Sequence, residues 1–319
     1  MKILITGSAG FIGSTLCKHF LRSGNLIVGL DKQEACADSR ISDDKNFKYI
    51  NINICDAVAL QKLFAAEAFD IVIHLAAQAG VRQSIAQPHV CIENNIIGFS
   101  NILENCRQYP VRHLIYASSS SVYGDSQKKP FKIEDNTDTP ISLYAATKKS
   151  NELMGYSYSH LYGIPATGLR FFTVYGPQGR QDMAPMLFAN AIMQNKPIQL
   201  FNSGKMWRDF TYVDDVVASI SRLISMPPLA VDVLGQKLVP HRLLNCGRGE
   251  PVEILEFVRL LEAALDQKAM IVNAPMQPGD VITTWADSTP LFQLTGYCPT
   301  TSLGDGIAKF ATWLKVAKL

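Results

Sequence analysis

The segment Thr6-Gly7-Ser8-Ala9-Gly10-Phe11-Ile12-Gly13 constrains this chain more than any other. It follows the apolar run from Ile3 to Thr6 and opens a helix-period stretch, Phe11 to Leu21, with Ile12, Leu16 and Phe20 on one face. Glycines between a strand and a helix permit a tight turn, a close backbone approach to a pyrophosphate and close packing of helix on strand. The helix N-terminus adds N–H groups without helical acceptors and a positive dipole end. Gly7, Gly10, Phe11, Ile12 and Gly13 are therefore candidate cofactor-binding residues. The spacing is GxxGxxG, one residue longer at its first gap than the usual dinucleotide fingerprint, so the turn needs support from the rest of the chain.

Support comes from the pattern that follows. Leu26 to Asp31, Tyr49 to Asn53, Ile71 to Leu75 and Leu114 to Ala117 are short, continuous apolar runs, as expected of strands covered on both faces. Asn94 to Cys106 is helix-periodic, with Ile97 and Leu103 on its apolar face. The alternation predicts an α/β fold with a doubly wound parallel sheet. Glu34 to Asn46 is polar and reads as an exposed loop after the second strand. Beyond Tyr175 the glycine and proline punctuation thickens, through Gly176-Pro177, Gly179, Pro197, Gly204, Pro227-Pro228 and Pro278-Gly279, and the alternation is lost. Residues 1–175 are read as a dinucleotide-binding domain and 176–319 mainly as a smaller α/β lobe that returns elements to the first. With 47% hydrophobic residues, the 319-residue chain can fill cores of that size.

Two acids bear on the cofactor. Asp31 ends the second apolar run, where a carboxylate accepts hydrogen bonds from adenosine ribose hydroxyls; this favours NAD over NADP, although adjacent Lys32 would tolerate a 2′-phosphate. Asp56 suits an adenine amine partner or the cap of a helix from Ala57 to Phe64, and one carboxylate can do both. Net charge is only +2 and the basic residues are scattered, which argues against nucleic acid or an acidic membrane as partner. The seven cysteines, 17, 36, 55, 91, 106, 246 and 298, form no CxxC pair and read as isolated reduced thiols in a cytoplasmic protein. No metal site is expected. Met1 to Thr6 is a strand start, too soon interrupted by glycine for a signal peptide, and no apolar run reaches membrane-spanning length.

Tyr144 and Lys148, in Tyr144-Ala145-Ala146-Thr147-Lys148, lie one helical turn apart on one face. Chance alone supplies about one such pair in a chain of this composition. The setting strengthens it: Pro140 precedes, Ser142 can cap, and the serine run Ser118 to Ser121 follows the Leu114 to Ala117 strand. A phenol with an ordinary pKa near 10 is a poor base at neutral pH, and a lysine cation and a nicotinamide cation nearby both favour its phenolate. A serine hydroxyl within reach of the same substrate oxygen would help pass the proton. The competing reading of Tyr144 is a surface tyrosine on an amphipathic helix.

Taken together, TGSAGFIG, LAAQAGVR (Leu75 to Arg82), ASSSSVYG (Ala117 to Gly124), SLYAATKK (Ser142 to Lys149), LRFFTVYGPQGR (Leu169 to Arg180), RDFTYVDD (Arg208 to Asp215) and Gln277-Pro278-Gly279-Asp280 make a set. It resembles the extended short-chain dehydrogenase/reductases of the NAD-dependent epimerase/dehydratase group, and within them is most similar to the UDP-glucuronate 4-epimerases. The resemblance implies a Rossmann domain holding NAD tightly, a C-terminal lobe holding a UDP-sugar, and a homodimer formed through a four-helix bundle. It implies Tyr144 as base, Lys148 on the nicotinamide ribose and Ser119 as the catalytic hydroxyl, with Ala76, Gln78 and Asn94 flanking the cofactor. It places Arg208 on the UDP phosphates and Asp280 near the uridine ribose; Arg82 and Phe201 are further substrate candidates.

In this family Tyr144 would take the proton of the sugar 4-hydroxyl as C4 is oxidised; in an epimerase the 4-keto sugar turns over and is reduced on its other face. Related dehydratases and decarboxylases carry acids just after the catalytic serine or threonine. Here Ser120 and Ser121 are neutral, which argues for epimerisation. A uronate needs a partner for its carboxylate: Arg180 can pair bidentately, with Thr173 and Ser121 as further donors, although a surface salt bridge is the other reading of Arg180. The sequence departs from these epimerases at Gln83, Ser203, Trp207 and the Val231 to Arg242 segment. The alternatives are a UDP-glucose or UDP-N-acetylhexosamine 4-epimerase, and a non-catalytic NAD-binding regulator.

Overall fold

The computed structural model describes residues 1–33, 43–230, 232–233, 236–277 and 279–317. Most of the loop expected from Glu34 to Asn46, together with Cys36, Val231 and Pro278, lies outside the described residues. The chain groups into two compact units. The first contains Met1–Gly124, Asp135–Arg170 and Ile220–Leu244; the second contains Asp125–Glu134, Phe171–Ser219 and Asn245–Leu319.

The central sheet has seven strands. β1 (Lys2–Thr6), β2 (Leu26–Asp31), β3 (Phe47–Asn51), β4 (Ile71–His74), β5 (His113–Ser119) and β6 (Ala166–Phe171) are joined by a late strand, β12 (His241–Cys246), in the order β12-β6-β5-β4-β1-β2-β3. From β3 to β5 every neighbouring pair is parallel. Burial explains the apolar runs: all four residues of β4 and all six of β6 are buried, because helices cover both faces. One face carries a core of Leu4, Leu30, Leu60, Phe64, Phe99, Ile102 and Leu103. The third strand begins two residues earlier than its apolar run suggests, at Phe47, since it pairs as an edge and is only half-buried.

The helix expected from Asn94 has an irregular beginning. Glu93–Ile97 form a π turn leading into the helix Gly98–Gln108. The wider turn lets two consecutive residues, Asn94 and Asn95, both face inward. The helix Leu143–Tyr162 is capped by Ser142, whose Oγ accepts from the Ala145 N–H at 3.1 Å, and ends at Gly163 in a left-handed conformation. A short hairpin, β10 (Asp232–Val233) with β11 (Gln236–Lys237), precedes β12.

In the second unit, β7 (Thr173–Tyr175) runs parallel to β9 (Trp207–Tyr212), which pairs antiparallel with β13 (Pro251–Glu253). β8 (Pro197–Phe201) pairs in parallel with β14 (Met270–Ala274). Tyr175, Phe210 and Phe257 form an aromatic centre, with Phe210 stacked on Phe257 at 4.5 Å between centroids.

Candidate active site

The glycine turn has the shape its sequence requires. Gly7 sits at φ +73°, its carbonyl accepts the Gly10 N–H at 3.0 Å, and its own N–H donates to Leu30 O at the end of β2. A Cβ on Gly13 would overlap the Gly7 carbonyl, so helix and turn approach as only glycine allows. The helix Phe11–Arg22 begins at Gly10 with no side-chain cap, leaving its first-turn N–H groups directed at whatever lies before the helix. Asp31 brackets the turn: Oδ2 accepts from the Ala9 N–H at 3.1 Å and Oδ1 from the Gln33 N–H at 3.3 Å. A bare helix start, a glycine cradle and an acid at the end of β2 fit the pyrophosphate and ribose of a dinucleotide. Asp56 caps the helix Ala57–Ala66, accepting from the Ala59 N–H at 2.9 Å, and stays exposed.

The end of β4 is organised by residues that the motif reading did not single out. Thr6 Oγ1 accepts from the N–H groups of both Leu75 and Ala76, at 3.2 Å each. With both lone pairs engaged, its own proton goes to His74 Nδ1, 2.8 Å away, which makes His74 the neutral Nε2–H tautomer. Complete burial agrees, drawing the His74 pKa down to about 3. Asn95 grips Gln78 by both backbone groups: Oδ1 accepts its N–H at 2.8 Å and Nδ2 donates to its carbonyl at 3.1 Å. Asn94 is buried beside it and donates to Val90 O. No local pattern in the sequence separates Asn95 from its neighbour Asn94.

Tyr144, Lys148 and Ser119 all belong to the first unit. Tyr144 is half-buried near the start of the Leu143–Tyr162 helix, and the Lys148 ammonium lies 6.0 Å from the centroid of its ring. Lys148 is 3% exposed and donates to Ala117 O at 2.8 Å. Burial lowers its pKa to about 8, partly offset by Cys91 and Glu152, so it remains mostly cationic at neutral pH. Ser119 ends β5 and accepts from the Ser121 N–H at 3.2 Å, while its hydroxyl reaches Ser121 Oγ at 3.1 Å. Ser120 and Ser121 open a short 3-10 turn and are half-buried.

The remaining substrate candidates are distributed between the units. Arg82 is exposed on the short helix Val81–Ala86 of the first. Thr173 on β7, Arg180, Phe201 at the end of β8, Arg208 and Asp280 belong to the second. Of these the fold joins Arg208 to Asp280, with Nη2 and Oδ1 3.0 Å apart, and burial pulls the Arg208 pKa below its usual range. Arg180 makes a bidentate pair with Asp182, Nε to Oδ1 at 3.0 Å and Nη2 to Oδ2 at 2.6 Å, with both side chains about a third or more exposed. Next to Arg208, the buried Asp209 accepts from the N–H groups of Arg248, Gly249 and Ala286, each at 2.9 Å, and so fixes the loop after β12 to β9. Its place inside RDFTYVDD gave no sign of that structural task.

Among the described residues there is no group of three or more His, Cys, Asp or Glu side chains suited to a metal ion, and no helix is long and apolar enough to cross a membrane.

Residues 3–231 match the model of the NAD dependent epimerase/dehydratase family. The chain is 46% identical over 327 residues to Protein CapI of Staphylococcus aureus, covering 98% of each. It is 42% identical over 330 residues to a probable UDP-glucuronate 4-epimerase of Rhizobium meliloti, covering 98% of this chain and 96% of that one. Among solved structures, the UDP-glucuronic acid 4-epimerase of Bacillus cereus in complex with UDP-glucuronic acid and NAD superposes with a TM-score of 0.89 at 33% identity, covering 99% of this chain and 100% of the other.

Proposed function

The chain belongs to the NAD-dependent epimerase/dehydratase family, and from that membership we propose that it interconverts UDP-glucuronate and UDP-galacturonate. It is an NAD-dependent UDP-sugar 4-epimerase. The uronate is the finer reading. It is supported by the relatives that are named for that activity and by Arg180, whose guanidinium already pairs bidentately with a carboxylate, that of Asp182; neutral Ser120 and Ser121 after the proposed catalytic hydroxyl favour epimerisation over dehydration.

The observation that carries the chemistry is Tyr144 with a buried lysine cation one turn along the same helix. Tyr144 takes the proton of the sugar 4-hydroxyl and later returns it. Lys148 favours the phenolate by its charge, and its bond to Ala117 O fixes where that charge sits. Ser119 holds the same substrate oxygen. Bound NAD supplies the two-electron oxidant for C4 and the reductant that restores it. It would be held by the Gly7–Gly13 turn, by Asp31 at the ribose, and by Ala76, Gln78 and Asn94, with Asp56 a candidate for the adenine amine. Arg208 and Asp280 would bind the uridine diphosphate, with Phe201 a further candidate in the same unit and Arg82 a candidate in the first. Arg180, turning from Asp182, and Thr173 would hold the C6 carboxylate. A 4-keto uronate is a β-keto acid that loses carbon dioxide when its carboxylate bond stands perpendicular to the ketone plane, and these donors keep it from that geometry.

We place the enzyme in the cytoplasm, where its scattered thiols stay reduced. We also propose a homodimer through the helix Leu143–Tyr162 and the Glu93–Gln108 segment. Ile97 is 50% exposed there, and Leu153 and Tyr156 are 57% and 50% exposed, an apolar face that a second copy would cover. Sedimentation of the purified enzyme tests this, and a monomer at micromolar concentration would overturn it.

The test of substrate is direct. Purified enzyme without added NAD is given UDP-glucuronate, UDP-glucose or UDP-N-acetylglucosamine, and each product is resolved by chromatography. Formation of UDP-galacturonate from the first is expected. Turnover of UDP-glucose with none of UDP-glucuronate would move the assignment to a neutral sugar.

A further inference from the structure

The buried pair Glu152–Arg170 has been given no role above, yet it touches both flanks of the serine segment. Glu152 lies on the Leu143–Tyr162 helix one turn beyond Lys148, so Tyr144, Lys148 and Glu152 follow at intervals of four on one face. Lys148 holds Ala117 O, and Glu152 Oε1 accepts from the very next residue, Ser118 Oγ, at 2.6 Å. Ser119 follows. Arg170, on neighbouring strand β6, forks onto Glu152 with Nε to Oε1 and Nη2 to Oε2, both at 2.8 Å. Its guanidinium then lies 4.8 Å from the ring centroid of Tyr123, the last residue of the turn that carries Ser120 and Ser121. Glu152 is 3% exposed and Arg170 1%.

Buried ion pairs are weak sources of stability; apolar residues of similar volume often do as well, and the best-attested use of such pairs is to fix one arrangement among several. Here the arrangement in question is the height of Ser119 relative to Tyr144. The two hydroxyls stand on different elements, one on a strand end and one on a helix, and both must meet a single substrate oxygen. We propose that Glu152 and Arg170 are positioning residues of the epimerisation: the pair grips Ser118 before the catalytic hydroxyl and Tyr123 after it, locking the serine segment to the helix that bears Tyr144. This rests on the reading of Ser119 as the hydroxyl that meets the substrate.

The test is the double variant Glu152→Leu/Arg170→Met, which removes both charges together and leaves neither buried alone. The expected result is a kcat lower by about 100-fold, the scale of a misplacement near 1 Å. KM should stay within about threefold, and the NAD released on denaturing the purified variant should be unchanged, which separates a positioning role from general loss of structure. A kcat within threefold of the parent would overturn the proposal. If the double variant does not fold, Ser118→Ala decides: it cuts only the tether and should lower kcat about tenfold, with Ser118→Thr recovering most of the loss, whereas a parent-like Ser118→Ala would again overturn it. Ser119→Ala runs alongside. Parent-like turnover there means that the reading of Ser119 has failed and the proposal falls with it; a crippled Ser119→Ala beside a parent-like double variant means that the positioning inference alone has failed.

Discussion

Acidification should destabilise this enzyme through its buried histidines. His74 and His113 are 4% and 0% exposed, and burial holds each at a pKa of about 3, against 6.5 when unfolded. Both are neutral in the native state. Their folded pKa values lie below the unfolded value, so the unfolded chain binds more protons between them. Stability is then at its full value above about pH 6.5 and is lost as pH falls towards 3. At pH 5 each histidine costs about 1.36 × 1.5, or about 2 kcal/mol, and the two together about 4 kcal/mol, with a limiting slope of about 2.7 kcal/mol per pH unit. That is a large share of an ordinary folding free energy of about 5–15 kcal/mol. Protonating His74 Nδ1 also turns an acceptor into a donor facing Thr6 Oγ1, whose lone pairs already hold the Leu75 and Ala76 N–H groups, so the loss falls on a predicted cofactor contact. Urea unfolding at pH 7, 6 and 5 with a fixed excess of NAD measures this. The reasoning is refuted if stability is flat across that range, or if His113→Asn, which removes one titrating ring, leaves the pH slope as steep as before.

Tyr144→Phe should reduce epimerisation by at least about 1000-fold, because it removes the proton acceptor, while NAD still copurifies; retained turnover would move the base elsewhere. Arg180→Ala should lower turnover of UDP-glucuronate and raise the fraction of product that has lost carbon dioxide to become a UDP-pentose. Mass spectrometry of the product mixture checks this, and an unchanged ratio counts against the carboxylate role. Gly13→Ala should strip the protein of NAD and lower its melting temperature, since the new methyl group overlaps the Gly7 carbonyl; normal cofactor content would refute the close approach.

The glycine turn, the strands before and after it, and the Tyr144–Lys148 pair were legible because each depends on local rules. A glycine at a positive φ, a capping serine at 142 and a four-residue spacing are properties of a few neighbouring residues. The same local reading offered Asp56 as a helix cap, one of its two readings, and the cap is present. It misplaced the start of β3 by two residues, since an edge strand is set by its one partner more than by its own apolar run. It took Asn94 to Cys106 as one regular helix, because a π turn has no period of its own in so short a stretch.

Sequence alone therefore determined the doubly wound sheet, the glycine turn and the placing of Tyr144 and Lys148 one turn apart on a single helix, since backbone geometry and helical periodicity act over a few residues. Tertiary structure alone decided what those side chains rest upon. Asn95 reaches Gln78 across 17 positions, Thr6 reaches His74 across 68, and Glu152 joins Ser118 and Arg170 from two strands. Such contacts satisfy buried polar groups that no local partner can reach, and a linear pattern carries no record of which distant residue will do so.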